Sequence, residues 1–535
     1  MKNTNSKNSK ITYDKYRPWR HIDIVKYIFI IYMSSFFLVY VDDFYFNITA
    51  TRAYCFYYGV LGLAILSCMA MIVEVSLMSY YNEKYEFYID SKPYATPDLW
   101  MILFLVANTI ALFMAQDKKA AFTGDTGRRF GLLMIICVAV MFLIISRGVY
   151  LNKVNLFVLS AVTAFSYIMA FLQHFGYDPF HFLERVTDNQ KEKFIGTFGN
   201  LNTFGSYVCI AMPIFVALII FSEKLYIRVL CGIMVALSAM AMIVSKSDNV
   251  YLGIGTAFIL LFFIAVYYKK VAGIFESILY MAAGLFIMSL LSKMYGGSTA
   301  HINGIAKLIE KPLIMGAFLI GAAVLFIGIM LFKKTASETY EKIQNKYTMM
   351  IIGALMVVSA AVVMVLGIRS GNSLFVFDYK WGTYRGYIWS RSLAEYSKSS
   401  IPIKLFGNGN ESVRTFLHDY KEEMVSMTKK YYDNCHNETI QFLVTTGFFG
   451  AAGYLGLFVS SVIYMIKRSK MDPVVIALLA SSVSYFAQAM VNVNQPITTP
   501  LYFVTLAAGI GYIRYRDQGY GVFHKENQAK KEKIK

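Results

Sequence analysis

The apolar residues of this chain run on without interruption, where a water-soluble fold would break them into short periodic groups. Val25–Val41, Phe130–Ile145, Tyr251–Tyr268 and Met349–Ile368 each approach the ~20 residues a helix needs to cross a bilayer. Backbone in hydrocarbon has no water to bond with, so runs of this length dictate helices that satisfy their own N–H and C=O groups. The sequence is 57% hydrophobic and 16% charged, well below the ~25% charge of an ordinary globular domain. The expected fold class is an all-α polytopic membrane protein with about 12–14 transmembrane helices and one large extracytoplasmic loop. Candidate spans fall roughly at 24–41, 54–79, 99–115, 130–146, 155–174, 201–221, 225–245, 250–268, 272–291, 312–332, 348–368, 438–466, 474–493 and 499–514.

Charge placement gives the orientation. The formal net charge is +18, and basic residues gather in the first twenty positions, in the tail "HKENQAKKEKIK" and in the connectors "YYKK" (267–270), "FKK" (332–334) and "KRSK" (467–470). That is the positive-inside pattern, which excludes a nucleic-acid partner as the reason for the charge. Both termini are then expected in the cytoplasm and the lipid bilayer is the first partner. One connector disagrees, because "DKKAAFTGDTGRR" (117–129) falls outside with four basic residues against two acidic. A missed or spurious span near the N-terminus would account for it. The basic start leads into a run with no small-residue cleavage site, so the first run is expected to be a retained helix. The six cysteines are isolated, with no metal-ligand spacing and no disulfide framework.

Four regions follow: N-terminal transmembrane helices (1–368), a large extracytoplasmic loop (369–435), C-terminal transmembrane helices (436–514) and a basic cytoplasmic tail (515–535). Long loops between packed helices are functional or disordered. Trp381, Trp389, Phe406 and Phe416 argue that this one is folded.

Two ionisable residues in and beside that loop attract attention. Read as a continuous helix, "WGTYRGYIWSRSLAEY" (381–396) places Tyr384, Ile388, Trp389, Leu393 and Tyr396 on one broad face with Arg385 near its centre, while Arg391 points elsewhere. A guanidinium amid apolar side chains is costly unless it meets an anion; a snorkelling or ion-paired arginine is the structural alternative. In "DNCHNETIQFLVTTGFFG" (433–450), His436 stands where a helix enters the membrane, above Ile440, Leu443 and Gly447, with Asp433 or Asn434 as the expected cap. An imidazole at such a rim can take a proton from a hydroxyl, or serve as an interface residue. Asn437 is expected to orient a substrate hydroxyl or to mark the boundary.

"CHNETIQFLVTTGFFG" resembles the hallmark of the O-antigen ligase/polymerase superfamily, in which a His-Asn pair opens a helix. "RGYIWSRSLAEYSKSSIPIKLFGNGNES" resembles that family's Arg, Trp and Gly-x-Gly segment, and "GTFGNLNTFGSYVCIAMP" (196–213) its external entry to a helix. The three occur in the family's order over about residues 190–510. The resemblance implies transfer or polymerisation of a saccharide from an undecaprenyl-diphosphate carrier to a saccharide or glycolipid acceptor at the outer face of the cytoplasmic membrane, without metal or cofactor. It implies that Arg385 holds the diphosphate and that His436 acts on the acceptor hydroxyl. Asn200, Asn202, Trp389 and Asn437 are further substrate-binding candidates. The family's second arginine is missing from the turn "VSKSDNVYLG", where Lys246, Asp248 and Asn249 stand, so Lys246, Arg369 and Arg391 are candidates for that charge. "SRGVYL" (146–151) looks similar but falls on the inner side. Polysaccharide-assembly proteins are expected partners.

Three alternatives keep different chemistry. A lipid-linked oligosaccharide flippase would need charges lining its spans, and Glu74 is the main one visible. A transferase using polyprenyl-monophosphate sugars would use an acidic pair such as Asp42 and Asp43. A non-catalytic assembly partner would explain the missing arginine.

Overall fold

The computed structural model describes residues 21–39, 44–80, 95–124, 128–296, 311–372 and 375–517. Asp42 and Asp43, the first twenty residues and the Lys-rich tail lie outside these. Each of the fourteen apolar runs forms a helix: His21–Ser35, Phe44–Tyr80, Thr96–Met114, Leu132–Ile145, Lys153–His174, Leu201–Phe221, Leu225–Val244, Asn249–Tyr267, Ala272–Tyr295, Pro312–Thr335, Lys346–Arg369, Glu438–Arg468, Pro473–Ala489 and Thr499–Tyr515. Among the described residues, eleven helices are long and apolar enough to cross a membrane, and Leu132–Ile145 and Pro473–Ala489 are shorter apolar helices. Between them, only Phe194–Ile195 and Gly199–Asn200 pair as strands among the described residues. The protein is an all-α polytopic membrane protein.

Local chemistry sets the helix starts. Asn152, Asn200 and Asp472 each accept from a backbone N–H in the first turn, offsetting donors that have no partner inside a helix. Pro312, Pro473 and Pro500 occupy the first turn, where a missing N–H costs nothing.

Contacts group the described connectors at two ends of the bundle. At one end, Arg52 donates to the carbonyls of Phe36, Val39 and Thr197, and Asn434 donates to Asn494. At the other, Lys26 donates to the Gly148 carbonyl, Arg514 to the Ser146 carbonyl, and Arg516 to the carbonyls of Arg468 and Ser469. Residues 21 and 517 therefore sit at the same end. The troublesome 117–129 connector lies with the large loop, because Arg128 bonds to Asp433 at 2.8 Å. Part of its basic excess, Arg128, thus meets an acidic residue of the loop. Glu74 faces the opposite end, 3.5 Å from the Ile22 N–H.

The large loop is folded. Helices Trp381–Lys398, Ile401–Phe406, Val413–Phe416 and Lys421–Thr428 close over a small core of Tyr387, Ile388, Val413, Leu417, Met424, Cys435 and Val444. The first departs from the continuous helix expected. Gly382, Thr383 and Tyr384 all have left-handed backbone, so the right-handed helical face begins only at Arg385. Leu393 accordingly stays 44% exposed, and Tyr387, Ile388 and Ser392 form the buried face. Gly386 is required there, because a Cβ would lie 1.9 Å from the Asp378 carbonyl oxygen.

Candidate active site

The right-handed helix starting at Arg385 is fastened to the turn that precedes Glu438–Arg468. Trp389 Nε1 donates to the Cys435 carbonyl at 2.8 Å. That turn is itself fixed by a ladder of amides: the His436 N–H donates to Asn434 Oδ1 at 2.7 Å, the Cys435 N–H to Gln441 Oε1 at 2.9 Å, and Asn434 Nδ2 to Asn494 Oδ1 at 3.2 Å. His436 is part-buried with φ +50°, left-handed backbone that needs such support from its neighbours. It therefore does not begin the helix, and it does not continue the stripe of Ile440, Leu443 and Gly447. The cap is Asn437, not Asp433 or Asn434: its Oδ1 accepts from the Ile440 N–H at 3.0 Å. Asn437 is buried.

Farther along, Gly447 breaks the helical backbone at φ +68°, ψ −170°. A Cβ there would meet the Leu405 backbone at 2.4 Å, so the Ile401–Phe406 helix packs straight onto the kink. The Thr445 carbonyl accepts instead from the Gly409 N–H at 2.8 Å. The "GNG" turn of the loop is thereby locked to the helix that His436 precedes.

Charge converges on the imidazole. Burial pushes the His436 pKa down to about 3, and the Arg385 and Arg128 charges add to the effect against a smaller pull from Asp433. Tyr432 meets the ring edge-on, with centroids 5.5 Å apart. His436 is neutral at physiological pH, with a ring nitrogen able to accept a proton. Arg385 folds back so that Nη1 donates to the Gly382 carbonyl at 2.7 Å. Its buried Nε has no partner, and among the described residues no carboxylate forms an ion pair with it. Burial lowers its pKa, while Asp248 and Tyr432 pull the other way. Against the cost of burial, Arg128 by charge and hydrogen bond, with Arg414, holds the Asp433 carboxyl below the usual range.

The other candidates fall into two groups. Asn202 Oδ1 accepts from Ser247 Oγ at 2.7 Å, which brings the 196–213 motif against the turn holding Lys246 and Asp248. Asp248 in turn is an electrostatic neighbour of Arg385. Asn200 caps its helix through the Asn202 N–H at 2.8 Å and remains exposed. Burial lowers the Lys246 pKa, with Glu192 opposing. Arg391, by contrast, is committed to the loop interior. It pairs with Glu423 and lies over the rings of Tyr379, Tyr387 and Tyr420 at 5.2–5.4 Å. Arg369 is exposed at the end of its helix, and among the described residues no hydrogen bond or ion pair joins it to Arg385 or His436. "SRGVYL" lies at the opposite end, where Ser146 and Gly148 bond to Arg514 and Lys26.

Sequence reasoning missed Arg128, Tyr432 and Asn494. The one signal for Arg128 was the unexplained positive charge of its connector.

Residues 312–455 match the family model described as O-antigen ligase. The match spans just over a quarter of the chain and contains both Arg385 and His436. It supports the O-antigen ligase/polymerase resemblance carried by the motifs, and with it an O-antigen ligase-type function in general. A lipid-linked glycan donor and a membrane setting go with that family. No curated protein matches the chain.

Proposed function

We propose that this protein is a glycosyltransferase that moves or polymerises a saccharide from an undecaprenyl-diphosphate carrier at the outer face of the cytoplasmic membrane. The observation that carries the reading is that Arg385 and His436, far apart in the chain, are brought within electrostatic reach of one another at the large-loop end of the bundle, where Trp389 ties the Arg385 helix to the histidine turn. The acceptor hydroxyl oxygen attacks the anomeric carbon of the donor sugar. The bond from that carbon to the diphosphate oxygen breaks, its electron pair leaving with the diphosphate, and the hydroxyl proton passes to His436. Arg385 meets the leaving negative charge with donors in a fork suited to phosphate oxygens. Arriving diphosphate also offsets the Arg385 and Arg128 charges that hold down the imidazole, which moves it back toward its ordinary value and makes it a better base.

Lys246 and Asn202 border the same end and are assigned to the diphosphate and sugar. Asn200 is exposed toward the same side. Trp389 and Asn437 position the site through the Cys435 carbonyl and the helix cap. The saccharide chains made by cells carrying His436→Ala or Arg385→Ala test the reading. Loss of long chains with single capped units persisting indicates a polymerase; full-length chains left on the lipid carrier indicate a ligase. Unchanged glycans in both variants would sink the catalytic assignment.

A further inference from the structure

We propose that Arg128 supplies the second guanidinium of the diphosphate site, leaving Asp433 when the donor binds. This rests on the reading above, in which Arg385 is the first. The connector that carries Arg128 is anchored on both sides of that residue. Ahead of it, Asp117 caps a short helix by accepting from the Ala120 N–H, and Ala115 and Ala121 lie against Gly409 of the loop. Behind it, the Phe130 N–H donates to Glu411 at 3.3 Å and the Arg129 carbonyl accepts from Tyr57 at 3.3 Å.

Its present contact has the form of a pair that can exchange. Nε and Nη2 both donate to the same oxygen, Asp433 Oδ1, at 3.2 and 2.8 Å, with the two side chains 23% and 21% exposed. Both donors fall on one carboxylate oxygen rather than spreading over two, so the pair lacks the parallel fork of the strongest guanidinium–carboxylate contacts. A diphosphate offers more charge and more acceptor oxygens, in the geometry a guanidinium fork matches. Asp433 lies three positions before His436, and both Arg128 and Arg385 act on the imidazole. An anion placed between Arg385 and His436 falls within the field of both.

The test uses the full-length chain in nanodiscs, with undecaprenyl diphosphate and undecaprenyl monophosphate as probes. Intrinsic fluorescence reports binding, since Trp381 and Trp389 flank Arg385. Arg128→Gln is expected to weaken diphosphate binding at least tenfold and monophosphate binding much less. Arg128→Lys, which keeps the charge and loses the fork, is expected to fall between. Asp433→Asn is expected to retain or tighten diphosphate binding, because it removes the competitor. In transfer assays with Arg128→Gln, KM for the donor rises more than kcat falls. Equal losses in Arg128→Gln and Asp433→Asn would mean that the pair only holds the loop, and would overturn the proposal. So would wild-type binding in Arg128→Gln and Arg128→Lys. If Arg385→Gln keeps wild-type binding too, the proposed function itself fails; if it loses binding while Arg128→Gln does not, only this inference does.

Discussion

Arg514 and Arg385, at opposite ends of the bundle, are withdrawn from water under opposite conditions. At the end away from His436, Asp98 is fully buried, and its carboxylate accepts from Ser146 Oγ, the Ala95 N–H and Arg514 Nη2, all at 2.8 Å. Arg514 also donates to the Ser146 carbonyl, and Arg516 is bonded to Asp472 and Asp517. At the His436 end, Arg385 is bonded to one carbonyl, has a buried Nε without a partner and, among the described residues, has no carboxylate at contact distance. A charge removed from water and fully compensated holds structure together; one left partly uncompensated is poised for an anion that arrives later.

Several substitutions would break or sharpen that contrast. The largest effect belongs to Asp98→Ala, which strands Arg514 and should cost about 3–5 kcal/mol of stability. A lower unfolding midpoint and yield would report it, with unchanged activity per folded molecule. Replacing Asp98 and Arg514 together by Leu and Met should recover most of the loss, because no lone charge remains. Next come Arg385→Ala and His436→Ala, expected to lower transfer about 10²–10³-fold and 10²–10⁴-fold while the unfolding midpoint stays near wild type. A midpoint as low as that of Asp98→Ala would put Arg385 in the structural class instead.

Acid should act on His436 in a definite direction. Its folded pKa is depressed, so the unfolded chain binds the extra proton first. Stability is complete above about pH 6.5 and declines as pH falls toward the folded value, by at most about 1.4 kcal/mol per pH unit. His436→Gln should flatten that slope in a series of unfolding midpoints. The smallest effect is expected for Arg391→Ala, whose part-exposed pair with Glu423 and tyrosine contacts together contribute about 1 kcal/mol. A loss of transfer as deep as that of Arg385→Ala would move Arg391 from the loop core into the site.

The sequence by itself determined the fourteen helices, their alternation and the presence of a folded loop. Bilayer thickness and the need for internal hydrogen bonding leave a run of ~20 apolar residues little choice. It also supplied Arg385 and His436, through residue types that are expensive near hydrocarbon. It could not say which helices lie inside the bundle. Leu201–Phe221 and Lys346–Arg369 have mean hydropathies of 2.4 and 2.8, yet the apolar window of the first is wholly buried in the protein and that of the second 6% buried. Lipid and protein interior are equally apolar to a side chain, so hydropathy does not distinguish them. The left-handed turn at Gly382–Tyr384, the left-handed His436 and the kink at Gly447 were decided by tertiary contacts: the Asp378 carbonyl over Gly386, Asn434 and Gln441 under the histidine turn, and Leu405 against Gly447. Arg128 came to the site the same way. Its connector is far from His436 in sequence, and only the packing of the 407–411 turn onto it put the guanidinium on Asp433.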